Sequence, residues 1–203
     1  MSAHVIGLLS GVLVFSSIIP YGFRAYSGKI RPVPTSWSLW SFIGLAILLT
    51  YKSAGASTNI WPAVFGFTNP TLITFLSVLR REKWKRPSLL DRLCLVLGVA
   101  AMIMWLFLRR SAELSRYALL VAVAADVCAA IPTLRFVWTE PEADRPLAWF
   151  IFGCGYFLVL FALPENTLAA WGLPLYMTAV SWAIALPLAL YRWRARLPWS
   201  EWA

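Results

Sequence analysis

Charged residues are spaced along this chain so that long uncharged runs lie between them: 1–23, 32–51, 53–79, 93–108, 146–164 and 166–191, with another at 117–134 broken only by Asp126. Most of these runs come near the ~20 residues that a helix needs to cross a bilayer, so the pattern predicts seven transmembrane helices and no strand. The expected spans are Val5–Phe23, Ser36–Tyr51, Ile60–Leu79, a fourth ending near Leu108, Tyr117–Phe136, Pro146–Leu163 and Trp171–Tyr191. The run at 93–108 is short, so its helix extends into Asp91-Arg92 or Arg109-Arg110, whose long side chains can snorkel to the interface. In Arg31-Pro32-Val33-Pro34 two prolines delay the second span, which Thr35 or Ser36 would cap. Ser88-x-x-Asp91 forms a capping arrangement for the fourth span, and Pro164-Glu165-Asn166 turns the chain between the last two.

A second periodicity is laid over the first. Ile19-Pro20 followed by Trp40-x-x-x-Gly44 recurs 112 positions on as Ile131-Pro132 followed by Trp149-x-x-x-Gly153, and Trp61 with Thr68 recurs as Trp171 with Thr178. A unit of about 75 residues is used twice, with one span between the copies, which is a mark of transporters whose halves enclose a site. Three helices reverse the direction of the chain, so a second copy points the same way only if one extra crossing intervenes. The expected fold is therefore an all-α membrane protein of two parallel three-helix bundles, at 1–86 and 113–203, joined by a linker helix at 87–112 (3+1+3).

Composition agrees with a lipid solvent: 60% of residues are hydrophobic and only 13% charged, against about 25% charged in soluble domains. No cleavable signal peptide is expected, because nothing basic precedes Arg24. Of 18 Lys and Arg, 14 fall in the loops after spans one, three and five and in the C-terminal tail. The positive-inside rule then puts the N-terminus outside and the C-terminus in the cytoplasm of a bacterial-type inner membrane. That bias explains the net charge of +9 without nucleic acid, since no aromatic-basic binding face accompanies it. The basic run Arg80-Arg81-Glu82-Lys83-Trp84-Lys85-Arg86 also suits contact with anionic lipid. Cys94, Cys128 and Cys154 all lie inside spans with no Cys-x-x-Cys spacing and read as buried free thiols.

This layout, with a proline near the cytoplasmic end of spans one and five, resembles the SWEET and PQ-loop superfamily of small-solute transporters. Pro20 is followed by Tyr21 and Pro132 by Thr133, where the PQ-loop group has glutamine; Ala125-Asp126 with Ile131-Pro132-Thr133 resembles bacterial members of the superfamily. The resemblance implies a carrier for a small solute such as a sugar or amino acid, working by alternating access, with Pro20 and Pro132 as hinges. A fixed kink is the alternative role for both, since each proline removes a backbone donor and frees a carbonyl in the preceding turn. Asn69 resembles the cavity-lining asparagine of span three in SWEET transporters, while the matching place in span seven holds Ala179.

Among residues that can carry chemistry, Asp126 stands out as the only charge well inside a span. An ionised carboxylate there costs about 2.5–3.5 kcal/mol even on mild insertion scales. It reads as a coupling group for protons or a cation, as partner of a substrate amine, or as an interhelical hydrogen-bond acceptor. The first repeat has Val14 in its place. Trp182, with Tyr156 and Tyr176, offers flat faces to a sugar, an aromatic ring or a cation, and Thr178 lies nearby. Glu140, Glu142 and Asp144 form an acidic cluster in the fifth loop, fit for a gate of ion pairs or a solvated turn. The only histidine is His4 and no Gly-x-Ser-x-Gly occurs, so no enzyme, metal site or cofactor is expected. A monomer or small homo-oligomer suffices for the carrier. A receptor or binding protein on the same fold is the rival expectation.

Overall fold

The computed structural model describes residues 2–28, 30, 32–163 and 166–202, with the backbone alone at 168–169. Arg31 and the Pro164-Glu165 turn therefore lie outside the described residues. Eight helices form within them: α1 (Ala3–Ser16), α2 (Ile18–Tyr26), α3 (Pro34–Ser53), α4 (Trp61–Leu79), α5 (Leu89–Leu108), α6 (Ala112–Thr139), α7 (Pro146–Val159) and α8 (Leu168–Arg194). Short 3-10 turns follow at Leu160–Ala162 and Trp199–Glu201, and no strand occurs among the described residues. Five stretches are long and apolar enough to cross a bilayer: Ala3–Tyr26, which is α1 with α2, then Trp61–Leu79, Leu89–Leu108, Ala112–Thr139 and Ala170–Arg194. The chain is a helical membrane protein. Of the other two expected spans, α3 has 20 residues but carries Thr35, Ser36, Ser38 and Ser41 in its first half, and α7 with its 3-10 turn is shorter, Pro146–Ala162.

The first expected span is not one helix. It breaks at Ser17, because Pro20 has no N–H to give the Ser16 carbonyl and two serines compete for the carbonyls before it. Ser16 Oγ donates to Leu13 O at 2.8 Å and Ser17 Oγ to Val14 O at 2.7 Å. By contrast α6 runs unbroken through Pro132, where the preceding turn, Cys128-Ala129-Ala130, has no hydroxyl. The second span also differs from expectation: α3 starts at Pro34 itself, whose fixed φ suits a first helical turn, and neither Thr35 nor Ser36 caps it. Thr35 Oγ1 instead donates to Lys85 O at 2.7 Å and ties the α2–α3 and α4–α5 connections together. The capping box of Ser88 with Asp91 opens α5 as expected.

Contacts between helices run in a closed circuit, α1 to α4 to α3 to α6 to α8 to α7 and back to α1, while α5 packs outside it on α3 and α6. Close approach is built on glycine. A Cβ on Gly44 would come within 3.0 Å of the Gly66 carbonyl and Phe67 Cα in α4, and one on Gly153 within 2.4 Å of the Trp182 ring in α8. The two Trp-x-x-x-Gly steps thus seat α3 on α4 and α7 on α8 in the same way. At the end of the bundle that carries the N-terminus, Gly7 lies so near Thr58 that a Cβ would fall 1.9 Å from its carbonyl oxygen. There Thr58 Oγ1 donates to Ala162 O at 3.1 Å, and Asn59, fully buried, donates to the Tyr51 hydroxyl.

Candidate functional site

A cavity of about 110 Å³ lies inside the circuit, walled by residues of α2, α3, α4, α6, α7 and α8 and by Ser17 at the joint of α1 and α2. At the ~30 Å³ that each water occupies in the liquid, that volume holds about three or four waters, or a solute somewhat smaller than the benzene that a ~150 Å³ apolar cavity takes. Its wall is largely apolar and its polar groups are few.

Asn69 stands on this wall at the joint of α1 and α4. Carbonyls in the last turn of a helix lack intrahelical donors, and the break at Ser17 puts Val14 O among them. Asn69 Nδ2 fills the gap, donating to Val14 O at 2.7 Å and approaching Ser17 Oγ at 3.4 Å. Because a carbonyl can only accept, the amide orientation is settled, and Asn69 Oδ1 is left buried with no hydrogen-bond partner. An unpaired buried acceptor costs about 1–3 kcal/mol. The neighbouring Pro70 adds another acceptor, since it offers no N–H to the Gly66 carbonyl one turn back on the same wall.

Asp126 lies on the wall where α6 meets α8. Tyr176 in α8 donates its hydroxyl to Asp126 Oδ2 at 2.7 Å, while Oδ1 makes no hydrogen bond to any described residue. Val14, 112 positions before Asp126, thus accepts a bond from α4 through its backbone, and Asp126 accepts one from α8 through its side chain. Tyr156 in α7 also lines the cavity, reaching across to α4 to donate to Pro62 O at 3.1 Å. Gly66 makes room for it: a Cβ there would come 2.7 Å from the Tyr156 hydroxyl oxygen.

Aromatic rings crowd the other half of the wall. Tyr21 packs on Trp37 with ring centroids 4.9 Å apart, Trp37 on Trp40 at 5.4 Å, and Trp40 on Trp149 at 5.8 Å and 90°. Trp149 Nε1 donates to Asp144 Oδ2 at 2.9 Å, so the acidic loop holds a cavity tryptophan rather than a row of ion pairs. The loop in turn is held by Arg192, which is 1% exposed and donates to the carbonyls of Pro141 and Leu188 at 3.0 Å and to those of Asp144 and Glu201. An ion pair of Arg145 with Glu201 and a backbone bond from Leu147 N to Trp202 O at 3.1 Å complete the docking of the C-terminal tail. A smaller pocket beside this loop shares Tyr21 and Ala148 with the main cavity and is lined also by Pro20, Arg24 and Arg145.

Asp126, Asn69 and Tyr156 thus share one cavity, and Tyr176 stands behind Asp126. Trp182 does not join them. It lies on the outer side of α7 and α8, stacked on Phe150 at 6.3 Å and tilted against Phe157 at 5.4 Å. Thr178 is buried and donates to Pro174 O at 2.8 Å within its own helix, off the cavity wall. Pro20 borders the smaller pocket, and Pro132 borders neither. Tyr21, Trp37 and Arg192 are not recognisable as parts of the cavity or its closure from sequence alone; the one signal is that Arg192 directly follows the last uncharged run, 166–191. No group of three His, Cys, Asp or Glu stands together as a metal site among the described residues. Comparison of the chain with protein-family models, with curated proteins and with solved structures finds no match.

Proposed function

We propose that this protein is a carrier of the inner membrane that moves a small solute by alternating access between two three-helix bundles, α1 to α4 and α6 to α8, with α5 as the linker. The observation that carries this reading is the cavity itself: both copies of the repeat wall it, the unduplicated α5 stays outside, and Asp126 and Asn69 both stand on its wall. A site at the interface of two repeats is where carriers bind their solutes. The order of contacts within each half, first helix to third to second, is the same in both copies and supports the likeness to the SWEET and PQ-loop superfamily drawn from the prolines. Asp126 is the coupling group, the place where a proton or cation associates with the loaded carrier. Pro20, beside the break at Ser17, is the hinge, while Pro132 is a site of mild bending in a continuous helix. The basic loops and tail face the cytoplasm.

Purified protein in liposomes tests the reading by counterflow. Saturable uptake of a small solute that falls with Asp126→Asn supports it. Saturable binding without flux in sealed vesicles would replace the carrier by a receptor on the same fold.

A further inference from the structure

Resting on the carrier reading, the cavity wall also restricts what the solute is. Among the described residues Asp126 is the only carboxyl group on the wall, and no Lys, Arg or His stands there; Arg24 and Arg145 belong to the smaller pocket. A carboxylate or phosphate solute would find no cation to pair with and would lie beside the Asp126 carboxylate, which is repulsive in a low-dielectric setting. Tyr156, Tyr176, Ser17 and Ser181 already donate their hydroxyl hydrogens, to Pro62 O, Asp126, Val14 O and Met177 O. Asp126 Oδ1 remains open, accepting from no described residue. The rest of the wall is the faces and edges of Tyr21, Trp37, Trp40, Trp149, Phe152 and Tyr156, surfaces that attract cations as well as apolar groups.

We infer that the cavity takes a small organic ammonium ion, its N–H donors on Asp126 and its apolar body among the tryptophans, and that it rejects carboxylates and phosphates. The volume limits the ion to about five non-hydrogen atoms, somewhat fewer than the benzene that a ~150 Å³ cavity takes. A zwitterionic amino acid fits poorly, because its carboxylate would be buried without a partner.

The test is a ladder of ammonium ions, methylammonium to n-butylammonium, each set against its alcohol and carboxylate counterparts, measured by calorimetry on the purified full chain in nanodiscs. The expected result is saturable binding of at least one ammonium ion, at least ~10-fold tighter than its alcohol, with no carboxylate binding. Asp126→Asn should erase that preference, and Asp126→Glu should retain part of it. The wild-type ladder decides by itself if the variants do not fold. No ammonium binding, equal binding of alcohol and ammonium, or preference for a carboxylate each overturns the assignment. Ammonium binding without flux in liposomes keeps the ligand class and sinks the carrier reading. Flux of a neutral or anionic solute unaffected by Asp126→Asn does the reverse.

Discussion

Trp40 and Trp149 each open a Trp-x-x-x-Gly step of the sequence, and in the folded protein they meet edge to face across the cavity, ring centroids 5.8 Å apart. Their contact joins α3 to α7.

Loss of that contact should loosen the cavity on its basic side. Aromatic pairs contribute about 0.5–1.5 kcal/mol beyond burial, so Trp40→Ala or Trp149→Ala is expected to raise the rate at which a cysteine placed at Ser181, on the cavity wall, reacts with a water-soluble thiol reagent about 2- to 10-fold. The background would carry serine at Cys94, Cys128 and Cys154. An unchanged rate would show that the pair fills space without closing anything.

Tyr176→Phe removes the bond to Asp126 Oδ2 at 2.7 Å while keeping the ring. Hydrogen bonds to a charged group contribute about 1.5–3 kcal/mol. The variant should unfold in detergent several degrees below wild type, and a double-mutant cycle with Asp126→Asn should show that the two losses are not additive. Additive losses would mean that the bond does not hold α6 to α8.

Gly7→Ala is expected to be far more damaging than Gly172→Ala, since a Cβ on Gly7 would sit 1.9 Å from Thr58 O whereas nothing lies within 4 Å of one on Gly172. Overpacking of this kind costs about 1–3 kcal/mol or more. Thermal scans of the two variants side by side check it; equal midpoints would contradict the tight seal between α1 and the start of α4.

Arg192 is the clasp of the C-terminal tail, so Arg192→Met should free Trp199–Trp202 from the α6–α7 connection. Limited chymotrypsin digestion should then cut near Trp199 at least ~10-fold faster, if tail opening follows the loss of a buried charged hydrogen-bond network. Arg192→Lys should rescue only part of the protection, because one ammonium cannot span the carbonyls that a planar guanidinium does. Equal cleavage in all three proteins would show the tail to be held elsewhere.

Pro20→Ala should let the new N–H bond the Ser16 carbonyl and mend the break at Ser17. Hydrogen exchange at residues 17–19 is expected to slow by about 10-fold, with a matching fall in solute flux, whereas Pro132→Ala leaves an already continuous α6 little changed. Faster exchange in Pro20→Ala would remove Pro20 as the cause of the break.

Much of this was legible along the chain. The capping box at Ser88 and Asp91, the starts at Pro146 and near Trp61, and the pairing of Trp40 with Trp149 follow from local chemistry or from simple recurrence. Asp126 declared itself by its charge and Asn69 by its amide, and both reach the cavity. Trp182 and Thr178 misled for one reason. Successive helical residues point about 100° apart, so Ser181 and Met177 line the cavity while their immediate neighbours Trp182 and Thr178 turn away from it.

The sequence by itself determined the solvent, the order and approximate ends of the helices, the weak point before Pro20 and the twofold reuse of one unit, because each depends on residues close together in the chain or on composition. Only the tertiary structure decided which side of each helix faces the cavity, that α5 stands outside the circuit, and that Arg192 clasps a loop 50 residues before it together with the tail that follows it. The physical reason is the membrane. Lipid and a packed apolar core are nearly the same solvent to a leucine or a phenylalanine, so hydrophobic pattern leaves a helix's rotation open. Glycine contacts, freed carbonyls and a few polar side chains seeking partners settle it, and they act only once the helices have come together.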